Sequence, residues 1–229
     1  MPQTHKQLSL YGLDSSKLLK DPQFAWVHPE VLKDLSDLHL AAKAAGFDLQ
    51  VYSGYRDFHQ QLAIWNNKWR GQRPILDANS QALDITQLSD QQKMQAILRW
   101  SALPGASRHH WGTDFDFYDP SLLPKGETLQ LVPQEYAIGG CQNSLSEWLQ
   151  ANAADYHFFY PYRRFQGGVE FEPWHLSHWP SSEKLLAELD ARQILQHLKE
   201  ANAAGFSCIE QNIEQIMTQY VRNICLPEK

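Results

Sequence analysis

Residues 107–116 read SRHHWGTDFD. From residue 114 onwards, acidic and aromatic residues alternate, and this pattern predicts a strand over residues 113–118. Side chains alternate between the two faces of a strand, so Asp114 and Asp116 share one face and the neighbouring phenylalanines share the other. We expect the phenylalanines to enter a hydrophobic core and the carboxylates to face a cleft or solvent. The glycine before the strand permits a sharp turn, which can swing His109 towards the carboxylates.

A second segment with acidic residues and a histidine, EFEPWH, occupies residues 170–175. Glu172 and His175 are three residues apart, so a regular strand would point their side chains to opposite faces. Pro173 cannot donate a backbone hydrogen bond, and it favours an edge or a bulge. Such a break in the strand can bring both side chains to one site.

Together the two segments contain the donor groups of a catalytic metal site. Such a site needs three protein ligands, one open coordination position and a general base that is not itself a ligand. Two histidines and one carboxylate suit zinc, although geometry and metal availability also select the ion. Each segment alone is weak support, because a His–Asp pair beside a turn is commonly structural and the chain has 10 histidines. The pair His109-His110 could equally lie exposed on a loop.

Three motifs in order resemble a known family, the zinc D-alanyl-D-alanine carboxypeptidases and dipeptidases of the vancomycin-resistance type. These belong to the lysostaphin-like and hedgehog-like metallopeptidases. The family shows Ser-Gly-Tyr-Arg, then Ser-x-His-x-x-Gly-x-Ala-x-Asp, then Glu-x-Trp-His. The chain has SGYR at residues 53–56, SRHHWGTDFD at 107–116 and EPWH at 172–175. The resemblance covers about residues 47–179, and it departs from the family pattern at Asp114, where the family has alanine.

The resemblance implies a role for each matching residue. Three residues would bind one zinc ion per chain: His109, Asp116 and His175. Glu172 would take a proton from the attacking water and pass it to the leaving amine. Arg56 would meet negative charge on the substrate or polarise the scissile carbonyl, because a guanidinium can bind a carboxylate or stabilise an oxyanion.

Further positions are expected around the same site. The resemblance implies that Gln61 and Ser107 hydrogen-bond the substrate. Tyr55 and Trp174 are candidate walls of the site, although packing in the core is an equal alternative for both. Asp114 is a candidate for a carboxylate that holds a ligand histidine or a substrate amine, and the alternative is a charge that faces solvent.

The implied activity is hydrolysis of the bond before a C-terminal D-Ala in a peptidoglycan-derived peptide, as in a D,D-carboxypeptidase or dipeptidase. An L,D-carboxypeptidase and an endopeptidase that cuts cross-links in muropeptides use similar chemistry, and the sequence does not separate them. A different class is a zinc-stabilised cell-wall-binding module without activity, as among hedgehog-like relatives. A binding module can lose its catalytic base, so the presence of Glu172 favours an enzyme.

Hydrophobic patterns along the chain predict short strands among scattered helices. The strands are expected at residues 47–52, 113–118, 157–160 and 169–179, and the helices at 28–46, after Asp57, after the Ser89–Gln92 capping box and through 181–224. Strands and helices do not alternate regularly, so the expected class is α+β, a small antiparallel sheet flanked by helices. The resemblance implies the hedgehog and D-Ala-D-Ala peptidase type of this class. We expect a peptidase domain over residues 1–180, with a helical extension over 181–229 packed on it.

Composition and charge limit the classes of partner that we expect for the chain. Its 229 residues carry a formal net charge of -6 and no basic block, so we expect no nucleic-acid partner. No segment approaches the roughly 18 apolar residues that span a bilayer, so we expect no membrane insertion. The first residues lack a basic start and an apolar run, which favours a cytoplasmic location and leaves a periplasmic one open. The expected partner is a peptide or muropeptide, and the sequence leaves the oligomeric state open.

Overall fold

The computed structural model describes residues 5–228, apart from the side chain of Lys6; residues 1–4 and 229, which fall within the two predicted domain ranges, lie outside it. The helices are α1 (His5–Leu10), α2 (Leu32–Ala44), α3 (Phe58–Trp69), α4 (Asp90–Leu98), α5 (Pro133–Tyr136), α6 (Asn143–Asn152), α7 (Trp179–Glu188), α8 (Ala191–Glu200) and α9 (Phe206–Ile216). The strands are β1 (Leu19–Asp21), β2 (Ala25–Val27), β3 (Gln50–Ser53), β4 (Asp114–Tyr118), β5 (Phe158–Phe159) and β6 (His175–His178). This arrangement confirms the predicted α+β class.

Four strands form the main sheet, in the order β3-β4-β6-β5, and every neighbouring pair is antiparallel. The register places Asp116 opposite His175 and Asp114 opposite Ser177. An irregularity in β3 lies directly before Ser53, which pairs with Asp116. The central strands therefore bring two distant parts of the sequence to one point of the sheet.

The strand predicted over residues 169–179 is shorter in the structure, because only His175–His178 belongs to β6. Before β6, the backbone N–H of Glu170 donates to the carbonyl of Arg99 at 2.9 Å, and that of Glu172 donates to the carbonyl of Tyr162 at 3.0 Å. These donors bind loops rather than a neighbouring strand. The strand prediction was wrong for residues 169–174, since the apolar pattern does not show where backbone donors find their partners. It was also wrong for Trp179, which begins α7.

The two larger hydrophobic cores of the described chain are built from different helices. One contains Phe115 and Phe117 of β4, packed with residues of α2 and α6, as the alternation in β4 predicted. The other contains Trp65 of α3 together with Ile194 of α8 and Ile209 of α9. The indole N–H of Trp65 also donates to the carbonyl of Ala204 at 2.9 Å. The C-terminal helices thus pack directly against α3, while the division at residue 180 stays a prediction.

The predicted capping box at the start of α4 is present, since the Ser89 and Gln92 side chains bind each other's backbone N–H groups. Within residues 5–228, no helix combines the length and the hydrophobicity that crossing a bilayer requires.

Candidate metal centre

Three side chains that the sequence singled out converge at the junction of β4 and β6. His109 lies in a short 3-10 turn over Arg108–Trp111, Asp116 lies on β4, and His175 begins β6. One donor atom from each lies within 4.8 Å of the others. His175 Nδ1 is 3.0 Å from Asp116 Oδ1, and His109 Nε2 is 3.6 Å from Asp116 Oδ2. Asp116 stands opposite His175 in the sheet register, which explains how residues far apart in sequence meet here.

Each histidine is held through the ring nitrogen that points away from Asp116. His109 Nδ1 lies 2.9 Å from the carbonyl of Gly54, an acceptor that fixes the proton on Nδ1 and leaves the Nε2 lone pair free. Burial lowers the pKa of His109 to about 3, so this ring is neutral. His175 Nε2 lies 3.1 Å from Asp114 Oδ1, which leaves Nδ1 directed at Asp116. Both rings thus turn a nitrogen towards one point, as metal ligands do.

Asp114 is wholly buried, at 0% exposure, so the alternative of a solvent-facing charge is wrong. Its carboxylate accepts from Arg108 Nε and from Thr113 Oγ1, both at 2.6 Å, in addition to its contact with His175. Burial raises the pKa of this carboxyl, but the charge of Arg108 and the hydrogen bonds outweigh burial and lower it. An ionised Asp114 is consequently held beside the histidine.

Arg108 is a residue of the site that the sequence reasoning missed. Its guanidinium binds Asp114 and also donates through Nη2 to Ser177 Oγ at 2.6 Å. The only signal was its position directly before His109, inside the motif. Its role depends on Ser177 of β6, a partner that is 69 residues away.

Glu172 stands beside the three candidate ligands. Its carboxylate Oε2 is 3.7 Å from His175 Nδ1, because a turn closed by the hydrogen bond from the His175 N–H to the Glu172 carbonyl puts both side chains on one side. Pro173 lies within that turn. Burial, aided by the charge of Asp116, raises the pKa of Glu172 to about 8. This carboxyl can therefore exchange a proton near neutral pH.

Arg56 lines the same cavity, and two neighbours fix its guanidinium. Nη1 donates to Gln61 Oε1 at 2.7 Å, and Nη2 donates to Ser53 Oγ at 2.8 Å. Gln61 is completely buried and also donates to the carbonyl of Ala102 at 2.7 Å. The amide of Gln61 thus lies between Arg56 and Ala102, and Gln61 is not among the residues that line the cavity. Its direct hydrogen bond to the substrate, which the resemblance implies, stays a prediction.

A cavity of about 340 Å³ opens over these residues. Ser107 and Trp174 both line it, and the Trp174 ring stacks on Trp100 with centroids 6.5 Å apart. Within the described chain, the buried Ser107 hydroxyl has no hydrogen-bond partner, so it is free to bind a group in the cavity. Tyr55 is half-buried and is not among the residues that line the cavity.

Two further cations in the cavity were not found from sequence, because each is an isolated basic residue outside the motifs. Lys68 on α3 donates to Ser101 Oγ at 2.7 Å, and Arg73 follows the same helix. Burial lowers the pKa of Lys68 to about 8. With Arg56, they add positive charge to the cavity that the carboxyl groups of Asp116 and Glu172 also line.

The fold and the site are of the kind found in metal-dependent hydrolases. Comparison with known proteins shows the family to which the chain belongs. Residues 25–181 match the VanY family model, described as D-alanyl-D-alanine carboxypeptidase. The match spans more than half of the chain, and the chain belongs to this family. It is accordingly a peptidase of a family whose activity relates to peptidoglycan.

Several individual proteins are similar to this chain. An uncharacterized protein of Haemophilus influenzae is 40% identical over 121 residues, which cover 52% of this chain and 92% of that protein. A solved structure of the D,D-pentapeptidase VanY from a VanB-type resistance cassette, a mutant in complex with Zn(II), is 24% identical with a TM-score of 0.50. That likeness covers 73% of this chain and 82% of the other. The LdcB LD-carboxypeptidase is 21% identical with a TM-score of 0.50, over 85% and 78% of the two chains. These structures share the fold.

Proposed function

We propose that the chain is a zinc-dependent carboxypeptidase that hydrolyses the bond before the C-terminal D-Ala of a peptidoglycan-derived peptide. The observation that carries the proposal is the meeting of two oriented imidazoles and one carboxylate beside Glu172 in a single cavity. Membership of the D-alanyl-D-alanine carboxypeptidase family supports the same reaction. A cell-wall-binding module without activity would not need a buried carboxyl beside the candidate ligands.

The residues present fit a zinc ion. His109 would bind through Nε2, His175 through Nδ1 and Asp116 through its carboxylate, a donor set of the catalytic zinc type. Gly54 and Asp114 hold the remaining ring nitrogens, as outer hydrogen-bond partners of zinc ligands do. Zinc bound there would supply Lewis acidity, which activates water at neutral pH and polarises the scissile carbonyl.

Glu172 is the proposed general base. A base works best when its pKa lies near the working pH, and burial raises the pKa of Glu172 towards that range. The charge of a bound cation would lower it again, so that Glu172 is ionised when the site is loaded. Its carboxylate then accepts a proton from the attacking water and returns that proton to the amine of the departing D-Ala.

Arg56 is the proposed partner of the substrate's terminal carboxylate or of the developing oxyanion. Ser53 and Gln61 fix its guanidinium before the substrate arrives, so little side-chain freedom is lost on binding. Ser107 offers an unpaired hydroxyl to the same group. Lys68 and Arg73 add positive charge to the same cavity, which favours a substrate with an acidic end.

The test is D-Ala release from three peptides. They are a stem pentapeptide that ends in D-Ala-D-Ala, a stem tetrapeptide whose single terminal D-Ala follows an L-residue, and the free dipeptide D-Ala-D-Ala. We expect the zinc-loaded protein to cleave the pentapeptide, and Glu172→Gln to abolish release while it retains zinc. Glu170→Gln, the same change two residues away, is the matched control and should remain active. Release only from the tetrapeptide would instead establish an L,D-carboxypeptidase, and zinc binding without any cleavage would contradict the enzymatic proposal.

A further inference from the structure

A second group of two histidines and one carboxylate lies on the other side of β6. Asp34, His157 and His178, here called the Asp34 cluster, each place one donor atom within 4.8 Å of the others. Side chains alternate along a strand, so His178 points to the opposite face from His175. We propose that the Asp34 cluster binds a second divalent transition-metal ion, of the zinc type, independently of the catalytic centre.

Three separate elements supply the Asp34 cluster. Asp34 lies in the first turn of α2, His178 ends β6, and His157 follows the short 3-10 turn over Ala153–Tyr156. Asp34 Oδ2 is 2.8 Å from His157 Nδ1 and 2.9 Å from His178 Nε2. The backbone of His157 has a φ of 62°, a conformation that is uncommon outside glycine. The fold keeps this unfavourable backbone at the residue whose ring reaches Asp34.

Ser181 holds the His178 ring on the side away from Asp34. Its Oγ lies 3.1 Å from Glu30 Oε2, to which it can donate. The same Oγ lies 3.1 Å from His178 Nδ1, so this ring nitrogen has a hydrogen-bond partner of its own. The other ring nitrogen, Nε2, lies 2.9 Å from Asp34 Oδ2. In the tautomer that carries its proton on Nδ1, the Nε2 lone pair is available to a cation shared with Asp34.

His157 adds another ring nitrogen at the same carboxylate oxygen, so two imidazoles and one carboxylate converge on a single point, as in a metal site. Only 3% of the His178 side chain is exposed, so the proposed ion would be held by a buried ring on its inner side. The chain from His178 through Ser181 to Glu30 also resembles the outer hydrogen bonds that orient zinc-binding histidines.

The distances suit a small metal ion. Zinc bonds of about 2.0–2.1 Å in a tetrahedron place neighbouring donors roughly 3.3 Å apart. The two nitrogen–oxygen separations in the Asp34 cluster are 2.8 and 2.9 Å. They would lengthen only slightly to reach the spacing of zinc ligands. The corresponding separations at the catalytic centre are 3.0 and 3.6 Å. The His157 side chain is 61% exposed, so one side of the cluster is open to water as a fourth ligand.

The test is zinc stoichiometry, measured by equilibrium dialysis and elemental analysis on full-length protein without a histidine tag, after removal of metal with a chelator. We expect two zinc ions per chain in the wild type and one in His157→Gly, a change that removes the ring while glycine accepts the positive φ. His59→Ala, which removes another exposed histidine, should keep two. D-Ala release by zinc-loaded His157→Gly should match the wild type.

His109→Ala separates this proposal from the catalytic one, since it should lose the catalytic zinc and retain the zinc of the Asp34 cluster. Adding zinc should then raise the Tm of His109→Ala but not that of His109→Ala/His157→Gly. A single zinc in the wild type that disappears in His109→Ala would overturn the second site and leave the catalytic centre intact. Two zinc ions in correctly folded His157→Gly would also overturn it, and Asp34→Asn provides a second variant for the same comparison.

Discussion

Asp114 Oδ1 lies 3.1 Å from Nε2 of His175, on the side of the ring opposite Asp116. The motif that the sequence resembles has alanine at this position, whereas here a wholly buried carboxylate joins the candidate ligand to Arg108. A carboxylate at this place fixes the ring orientation and makes Nδ1 a stronger donor to a metal.

Asp114→Ala should therefore weaken zinc binding about 10–100-fold, the usual effect of losing an outer hydrogen-bond partner. The same change leaves the Arg108 guanidinium buried without its carboxylate, at a cost of roughly 3–5 kcal/mol in the free energy of unfolding. Competition with a chelator measures the first effect, and urea denaturation measures the second. Arg108→Met/Asp114→Ala removes both charges, so it should recover stability but not zinc affinity. Unchanged zinc affinity in both variants would show that Asp114 has no part in orienting His175.

Gln61→Met should lower kcat/KM about tenfold without loss of zinc, because Arg56 loses one of the two bonds that hold its guanidinium. The effect should appear mainly in KM if Arg56 binds the terminal carboxylate. A substrate whose terminal carboxylate is replaced by an amide cannot make this contact. The wild type and Gln61→Met should then cleave it equally slowly. Ser53→Ala removes the other bond to Arg56 and serves as a parallel variant. Full activity in both variants would mean that Arg56 needs no such support.

Ser107→Ala should separate activity from stability. Its hydroxyl is buried and has no hydrogen-bond partner in the described chain, so its removal should leave the free energy of unfolding unchanged or slightly higher. We expect kcat/KM to fall about tenfold, because a hydrogen bond to the substrate is lost. Ser177→Ala is the matched control: that buried hydroxyl binds Arg108, and its loss should destabilise the chain. A Ser107→Ala protein that is less stable but fully active would contradict the assignment.

Lys68 should make stability depend on pH. Burial lowers its pKa to about 8 in the folded chain, against about 10.4 when it is unfolded. Below pH 8 the ammonium is charged in both states, so the cost of burying it is fully present. Between these pKa values the unfolded chain binds more protons, and the stability contribution of Lys68 rises with pH.

Lys68→Met should therefore stabilise the protein at pH 7, by on the order of 1 kcal/mol once the lost bond to Ser101 is deducted. The gain should shrink when urea denaturation is repeated at pH 9.5. The exposed Lys43→Met is the control and should change little at either pH. A gain of equal size at both pH values would show that the charge of Lys68 costs nothing in the fold.

Sequence patterns were sufficient for the features that depend on local spacing. Alternation within residues 114–118 predicted that Phe115 and Phe117 enter the core, and the capping box predicted the start of α4. The order of three short motifs predicted the family. A motif contains the residue types that a site needs, even where the sequence between the motifs differs.

Tertiary structure was needed for every feature that depends on a distant partner. Gln61 lies behind Arg56 because its amide finds the carbonyl of Ala102, 41 residues further on, and Asp114 is buried because Arg108 and His175 surround it. The Asp34 cluster unites residues up to 144 positions apart. Periodicity describes one element at a time, whereas the pairing of buried polar groups is set only when the elements pack together.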